Sequence, residues 1–345
     1  MPSVDFDRRR ALSVLLLVVS FSAAIPVAAH TQVVAPATPA PRGAPVLKIA
    51  PSRPDAGALV RLTLDAGGGE SVAALPADSI VGVSGWMAGE PLHFIAAGNQ
   101  VWRALGPVPI DEEDSVAARV VIVRASGAAD TVRTALSIPP LLAPSLTSSP
   151  KLAVNERFTR PLSAATLARI ERENALARAV GRGAHESPPR WTGGFRRPRA
   201  SRVTSRFGTG RAFNGAVVSR HLGVDFSGAV GSPVRAANRG VVALVDTFFL
   251  AGRVIYLDHG AGVVTGYFHL SKPLVAVGDT VARGETIGLV GATGRVTGPH
   301  LHWNARYGTH TVDPLDLVAI EEGWYRRPMN VGPPATGAPE EGSKY

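Results

Sequence analysis

Apolar and polar positions alternate along much of this chain. Val60, Leu62 and Leu64 are interleaved with Arg61 and Thr63, and Val132, Thr134, Leu136 and Ile138 repeat the pattern. A period of two marks a strand with one buried face. Several such runs, separated by Gly, Pro and Asp, predict an immunoglobulin-like β-sandwich over residues 47–139. Farther on, Val241 to Val245, Val254 to Leu257, Val263 to His269 and Ile287 to Val290 are too short and too β-branched for helices. They predict one antiparallel β domain over residues 201–320. Between the two, the period changes once. Ser163 can cap a segment whose Leu167, Ile170, Leu176 and Val180 recur at helical spacing up to Gly181, which predicts a short helix within a linker of residues 140–200. The fold class expected is therefore mainly β, with an N-terminal sandwich, a short helical linker and a C-terminal antiparallel β domain. Trp86 and Trp102 lie in apolar runs and are read as core rings rather than as a glycan-stacking pair. Glu112, Glu113 and Asp114 are read as a solvated turn, because three adjacent carboxylates cannot all face one ion.

The chain ends add a different layer. Arg8, Arg9 and Arg10 precede an apolar run from Ala11 to about Ile25, and Val27-Ala28-Ala29 follows as a cleavage site, so residues 1–29 are expected to be a secretory signal peptide. That run falls short of the roughly 20 residues a membrane-spanning helix needs. No later segment is long and apolar enough, so no stable membrane span is expected after cleavage. Residues 30–46, with Pro36, Pro39, Pro41 and Pro45, read as a tether, and residues 321–345 as a tail.

Composition sharpens this picture at three points. A length of 345 residues fits two domains with connecting segments. Cysteine is absent, which excludes a disulfide framework, a thiolate nucleophile and a Cys-type zinc finger, so any metal must be held by nitrogen and oxygen. The net charge of +9 suits an exported protein attracted to anionic envelope polymers. Export, sparse aromatics and the lack of a binding motif argue against nucleic acid. Arg190, Arg196, Arg197, Arg199, Arg202 and Arg206 are read as a solvated linker.

Six of the nine histidines fall between residues 221 and 310. His221 and Asp225 are four apart and share one face if that segment is extended; His300 and His302 are two apart and share a strand face. Two imidazole nitrogens and one carboxylate oxygen leave a fourth tetrahedral position for water, as a catalytic zinc site requires. Zinc would acidify that water, and a proton acceptor and an oxyanion donor must stand beside it. With no His-Glu-x-x-His helix, the candidates are His269 and whichever of His300 and His302 is not on the metal. His259 and His310 are assigned to turns, Asp313-Pro314 is read as fixing a turn, and His30, His93 and His185 lie outside the domain.

The motifs His221 to Asp225, Tyr267-Phe268-His269-Leu270, Gly278 to Gly284, and Thr293 to His302 occur in the order and spacing of a known family. Over about residues 200–320 the chain resembles the LytM/lysostaphin-type zinc metallopeptidases, which cut peptidoglycan cross-links. That resemblance implies one Zn2+ per catalytic domain on His221, Asp225 and His302. His269 and His300 then flank the metal-bound water as general base and transition-state stabiliser, in an order left open. It also implies an endopeptidase acting on peptidoglycan peptide stems, with D-alanyl-diaminopimelate cross-links preferred. The alternative is a non-catalytic relative that activates a cell-wall amidase, and the complete ligand set argues against it. Two departures stand out: Trp303-Asn304 where many members have an aromatic and an acid, and Gly215 about where some carry a tyrosine. Between enzyme and activator stands the hypothesis of a latent enzyme, in which the polar segment 140–200 lies over the cleft and occupies the water position, a latency that truncation near Ala200 would relieve.

Overall fold

The computed structural model describes residues 45–65, 79–98, 100–112, 114–141, 143–191 and 193–320. The expected signal peptide, nearly all of the expected tether, Glu113 and the expected tail lie outside these residues. Among the described residues no helix is long and apolar enough to cross a membrane.

Eight strands come first: β1 (Val46–Ala50), β2 (Leu59–Asp65), β3 (Ile80–Met87), β4 (Glu90–Leu92), β5 (Ile95–Ala96), β6 (Val101–Pro107), β7 (Ser115–Arg124) and β8 (Ala129–Ser137). They form two antiparallel sheets, ordered β1-β2-β6-β5 and β4-β3-β7-β8. Alternation explains the sandwich. Val60, Leu62 and Ala104 of the first sheet meet Met87, Val116 and Ala118 of the second in one core, while the residues between them face out. Trp86 corrects its expectation: it is 47% exposed, on the outward face of β3 with Arg119 over its ring, because alternation turns its neighbours Gly85 and Met87 inward. Trp102 is half-buried.

The linker is more structured than its composition predicts. After β9 (Lys151–Leu152), helix α1 spans Ala164–Gly183, 20 residues rather than a short helix, with Ser163 Oγ accepting the Thr166 N–H as N-cap. Leu167 and Leu176 are exposed; the buried stripe is Glu173, Ala177 and Gly181. The small residues Ala177 and Gly181 let the helix approach closely, and any side chain at Gly181 would collide with the Gly308 carbonyl. Glu173 pins the contact: Oε1 pairs with Arg169 Nε (2.7 Å), and Oε2 accepts the Phe249 N–H (2.8 Å).

The arginine-rich segment is likewise not a solvated linker throughout. Trp191 and Phe195 are buried edge to face in the C-terminal core, and Arg199 donates to the carbonyls of Pro233 (2.6 Å) and Ser227 (3.3 Å). Arg196, Arg197, Arg202 and Arg206 are exposed. Burial of two large rings outweighs the local polarity that made the segment read as solvated.

The C-terminal strands are β10 (Val203–Ser205), β11 (Gly210–Phe213), β12 (Val217–Arg220), β13 (Val224–Ser227), β14 (Pro233–Arg235), β15 (Gly240–Phe248), β16 (Gly252–Gly260), β17 (Val263–Pro273), β18 (Thr280–Val281), β19 (Thr286–Val290), β20 (His300–Tyr307) and β21 (His310–Val312), followed by α2 (Pro314–Val318). One large sheet runs β10-β13-β20-β17-β16-β15-β18, with β14, β19 and β21 attached, and a small sheet runs β12-β11-β9. Trp303, Tyr267, Tyr307 and Phe226 are its largest buried rings. Leu59 and Leu105 of the sandwich enter the same core. His259 is a strand residue, not a turn residue: it is fully buried in β16, with Nδ1 donating to Arg239 O (2.7 Å) and Nε2 2.8 Å from Thr265 Oγ1. His310 reaches across to Ala88 O (2.8 Å) on the sandwich rather than standing free at the surface. Asp313 caps α2 by accepting the Leu315 N–H.

Candidate metal and active site

Three neighbouring strands bring the motif residues together. In the β13–β20 ladder Asp225 lies opposite His302, and in the β17–β20 ladder His302 lies opposite Phe268. His300 and His302 alternate with Leu301, so both face the same side while Leu301 enters the core. The Phe268 ring stacks on His302 (5.1 Å between centroids, 13° between planes) and limits its rotation.

His221 arrives differently from the expectation. The strand carrying Asp225 begins only at Val224, so the two residues do not share one extended segment; the chain turns at Leu222-Gly223. Glycine is required there, since a Cβ on residue 223 would sit 2.5 Å from both His302 Nε2 and Trp303 O. Asn304 Nδ2 closes the turn by donating to Leu222 O (2.6 Å). The Trp303-Asn304 pair thus supports the site rather than loosening it: Trp303 is fully buried, and the amide supplies a donor that an ionised acid lacks. Gly215 lies in the Asn214-Gly215 hairpin turn with open space around it.

His269 comes from a strained backbone. Its φ is +62°, uncommon for a side-chain-bearing residue, and it lies within a register irregularity of β17. The bulge re-aims its ring to 4.9 Å from that of His300 and 5.9 Å from that of His302.

Hydrogen bonds fix how the rings present their nitrogens. His221 Nδ1 donates to Arg206 O (2.8 Å), His269 Nδ1 to Thr293 O (2.8 Å) and His300 Nδ1 to Gly298 O (2.8 Å). In each neutral ring the Nε2 lone pair is therefore left to accept. His221 Nε2 lies 2.9 Å from His302 Nδ1, and Asp225 Oδ1 is 3.0 Å from each of them. Three buried donor atoms converge on one point, with His300 Nε2 3.7 Å from Asp225 Oδ1. At most one proton can be shared within this triangle. The set is the nitrogen and oxygen chemistry that a divalent cation needs, so the residues fit a metal.

Electrostatics agree with that geometry. Burial works to raise the pKa of Asp225, but hydrogen bonds and charge from His221 and His302 outweigh it and hold the carboxyl well below the usual carboxylate range. Burial pulls His302 down to about 4 against the opposing pull of Asp225. Burial, then the charges of His300 and His302, keep His269 well below its ordinary value, so its ring is neutral at pH 7. Sequence reasoning missed Arg211, whose Nη2 engages Asp225 Oδ2 and lies 3.0 Å from Ser205 Oγ. It orients the carboxylate so that Oδ1 faces the two histidines. No local pattern announces it, because the pair joins strands 14 residues apart in sequence.

The site opens between two depressions. One, of about 580 Å³, is lined by Asp225 and His300 and by Pro150 and Leu152 of the linker, where β9 pairs in parallel with β11. The other, of about 370 Å³, reaches His302 and Phe268 beneath Ala177 and Arg178 of α1. The segment expected over the cleft therefore supplies walls on both sides of it.

Comparison with known proteins places this geometry. A putative peptidase M23 from Pseudomonas aeruginosa superposes with a TM-score of 0.55 at 24% identity, covering 79% of this chain and 96% of that one, a likeness of fold. Two relatives from Vibrio cholerae are more similar in sequence over shorter stretches. Peptidoglycan DD-endopeptidase ShyA is 48% identical over 86 residues, 25% of this chain and 20% of ShyA. Peptidoglycan DD-endopeptidase ShyB is 37% identical over 143 residues, 41% of this chain and 31% of ShyB. The chain thus spans less than a third of the length of either relative. The model of peptidase family M23 matches residues 219–314, which contain all five motif residues, so this C-terminal segment is similar to that family.

Proposed function

We propose that the protein is a zinc-dependent endopeptidase that hydrolyses peptide cross-links of peptidoglycan, with the D-alanyl-diaminopimelate bond as substrate. The observation that carries this reading is the convergence of His221 Nε2, Asp225 Oδ1 and His302 Nδ1, with the His269 and His300 rings beside them. The names of the Vibrio relatives support the substrate class.

His221, Asp225 and His302 would hold one Zn2+. When bound, it would supply Lewis acidity, acidifying a water and polarising a peptide carbonyl. The remaining work falls to the chain's own groups. His269 and His300 are anchored through Nδ1, so each offers Nε2: one takes the proton of the attacking water and passes that same proton to the leaving amine, and the other flanks the reacting carbonyl as transition-state stabiliser. Thr293 O and Gly298 O keep both rings in that tautomer. Arg211 holds Asp225 in place. The site would act in the cell envelope, where its substrate lies.

Digestion of purified sacculi by the mature chain tests the reading, with released muropeptides identified by mass. Cross-linked dimers should collapse to monomers, chelator should stop the reaction, and zinc should restore it. No release under any metal condition would instead favour the amidase activator.

A further inference from the structure

The larger groove beside the site carries an imbalance of charge that the reaction above does not use. Arg206, Arg211 and Arg295 line it, and among the described residues its only carboxylate is Asp225, already engaged by Arg211. Arg295 lies flat against Phe213, its guanidinium carbon 4.1 Å from the ring centroid. Its backbone N–H is tied to Leu250 O (2.8 Å), which fixes where the side chain starts. Its guanidinium has no hydrogen bond or ion pair among the described residues. Arg211 adds a second unmet donor, because its Nε is buried without a partner among the described residues. Burial, and the charge of Arg211 beside it, bring Arg295 down to about 10. Two neighbouring cations, one seated on an aromatic face with its donor fork free, are stabilised when an anion arrives between them.

We propose that Arg295, seated on Phe213 beside Arg211, receives a free carboxylate of the substrate peptide in the groove that ends at Asp225 and His300. The inference rests on the peptidase reading and names the feature of the peptide that this half of the groove selects. A planar guanidinium held on a ring presents two parallel N–H groups, which match a carboxylate better than a carboxamide. The amide can offer only one oxygen and brings N–H groups toward a donor. Thr204 and Thr297, also lining the groove, leave room for polar peptide groups around that contact.

The test uses the full mature chain and two preparations of cross-linked muropeptide dimer, one with its free carboxylates intact and one with them amidated. The wild type should favour the carboxylate form by about tenfold to a hundredfold in kcat/KM. In Arg295→Gln the ratio between the two forms should fall to near one, and Arg295→Lys, which keeps the charge but not the fork, should lie between. Equal losses on both forms in Arg295→Gln, or a wild type indifferent to amidation, would overturn the proposal. Calorimetric binding of both dimers in the presence of chelator separates the two readings. If neither dimer is cleaved yet the wild type binds the carboxylate form tenfold more tightly through Arg295, the peptidase reading fails and the carboxylate site stands. If both are cleaved without discrimination, the carboxylate site alone fails. If there is neither cleavage nor discrimination, both fail.

Discussion

Two clusters of histidine and carboxylate stand among the described residues, and they are built on opposite terms. At the contact between sandwich and C-terminal domain, Glu90 Oε2 lies 2.9 Å from His185 Nε2, and His185 Nδ1 lies 2.8 Å from His93 Nε2. Glu90 Oε1 takes the Thr309 N–H (2.8 Å) and hydroxyl (2.5 Å). Each contact there has its own proton, so the chain of bonds closes on itself. At the site, the outer nitrogen of His221 has already spent its proton on a carbonyl, and three atoms with at most one proton among them meet in a triangle with edges of 2.9 to 3.0 Å. The first arrangement is complete as it stands, whereas the second is completed by a cation. Counting histidines does not tell the two apart; following the proton on each outer nitrogen does.

The largest effects should separate the clusters outright. His221→Ala, Asp225→Asn and His302→Ala should each lose bound metal and all activity, while Glu90→Gln and His185→Gln should keep metal at full stoichiometry; elemental analysis of purified variants decides this. Next, His300→Ala and His269→Ala should lower kcat by roughly 10²- to 10⁴-fold while retaining metal. Metal loss in these two equal to that in the ligand variants would refute the division of roles. A smaller effect belongs to the interface: Glu90→Gln leaves a buried contact half-satisfied and should cost about 1–3 kcal/mol in denaturant unfolding, with activity at saturating substrate preserved. The smallest is a dependence on acidity. Burial works to raise Glu90, but its bonds to His185 and Thr309 lower it from 4.5 to about 2, and burial with the His185 charge lowers His93 from 6.5 to about 4. Both folded values lie below the unfolded ones, so their stabilisation is full above about pH 6.5. It fades first as His93 is protonated toward pH 4 and then as Glu90 is protonated toward pH 2. Hydrogen exchange at Thr309, whose amide bonds Glu90, should accelerate over that descent in the wild type and less so in Glu90→Gln.

The sequence disclosed the residue types at the site because their spacing follows the strand period: His300 and His302 do share a face, and the His-Leu-His run does open a strand of the large sheet. It did not disclose how His221 gets there, since an even spacing to Asp225 looks the same whether the chain is extended or turns at Gly223. The helix was visible from its cap at Ser163, but its buried face was not. Leu167 and Leu176 suggested an apolar stripe, whereas close approach to Gly308 selects Ala177 and Gly181 and leaves both leucines in solvent. Arg211 and Arg295 stayed hidden for the same reason that Trp86 was misplaced. Their partners, or lack of them, are set by strands distant in sequence, and no local pattern records which face of which neighbour they meet.

Trp191 and Phe195 bear on how this chain can be divided or exchanged. A cut near Ala200, where composition places the boundary, would strip two rings from the core that supports Trp303 and Tyr267. A transplant of the domain into another scaffold must therefore begin ahead of Ser187, whose carbonyl accepts the Ala261 N–H (2.8 Å). In modular terms, the arginine-rich stretch is the first component of the C-terminal unit, and the interchangeable joint lies upstream of it.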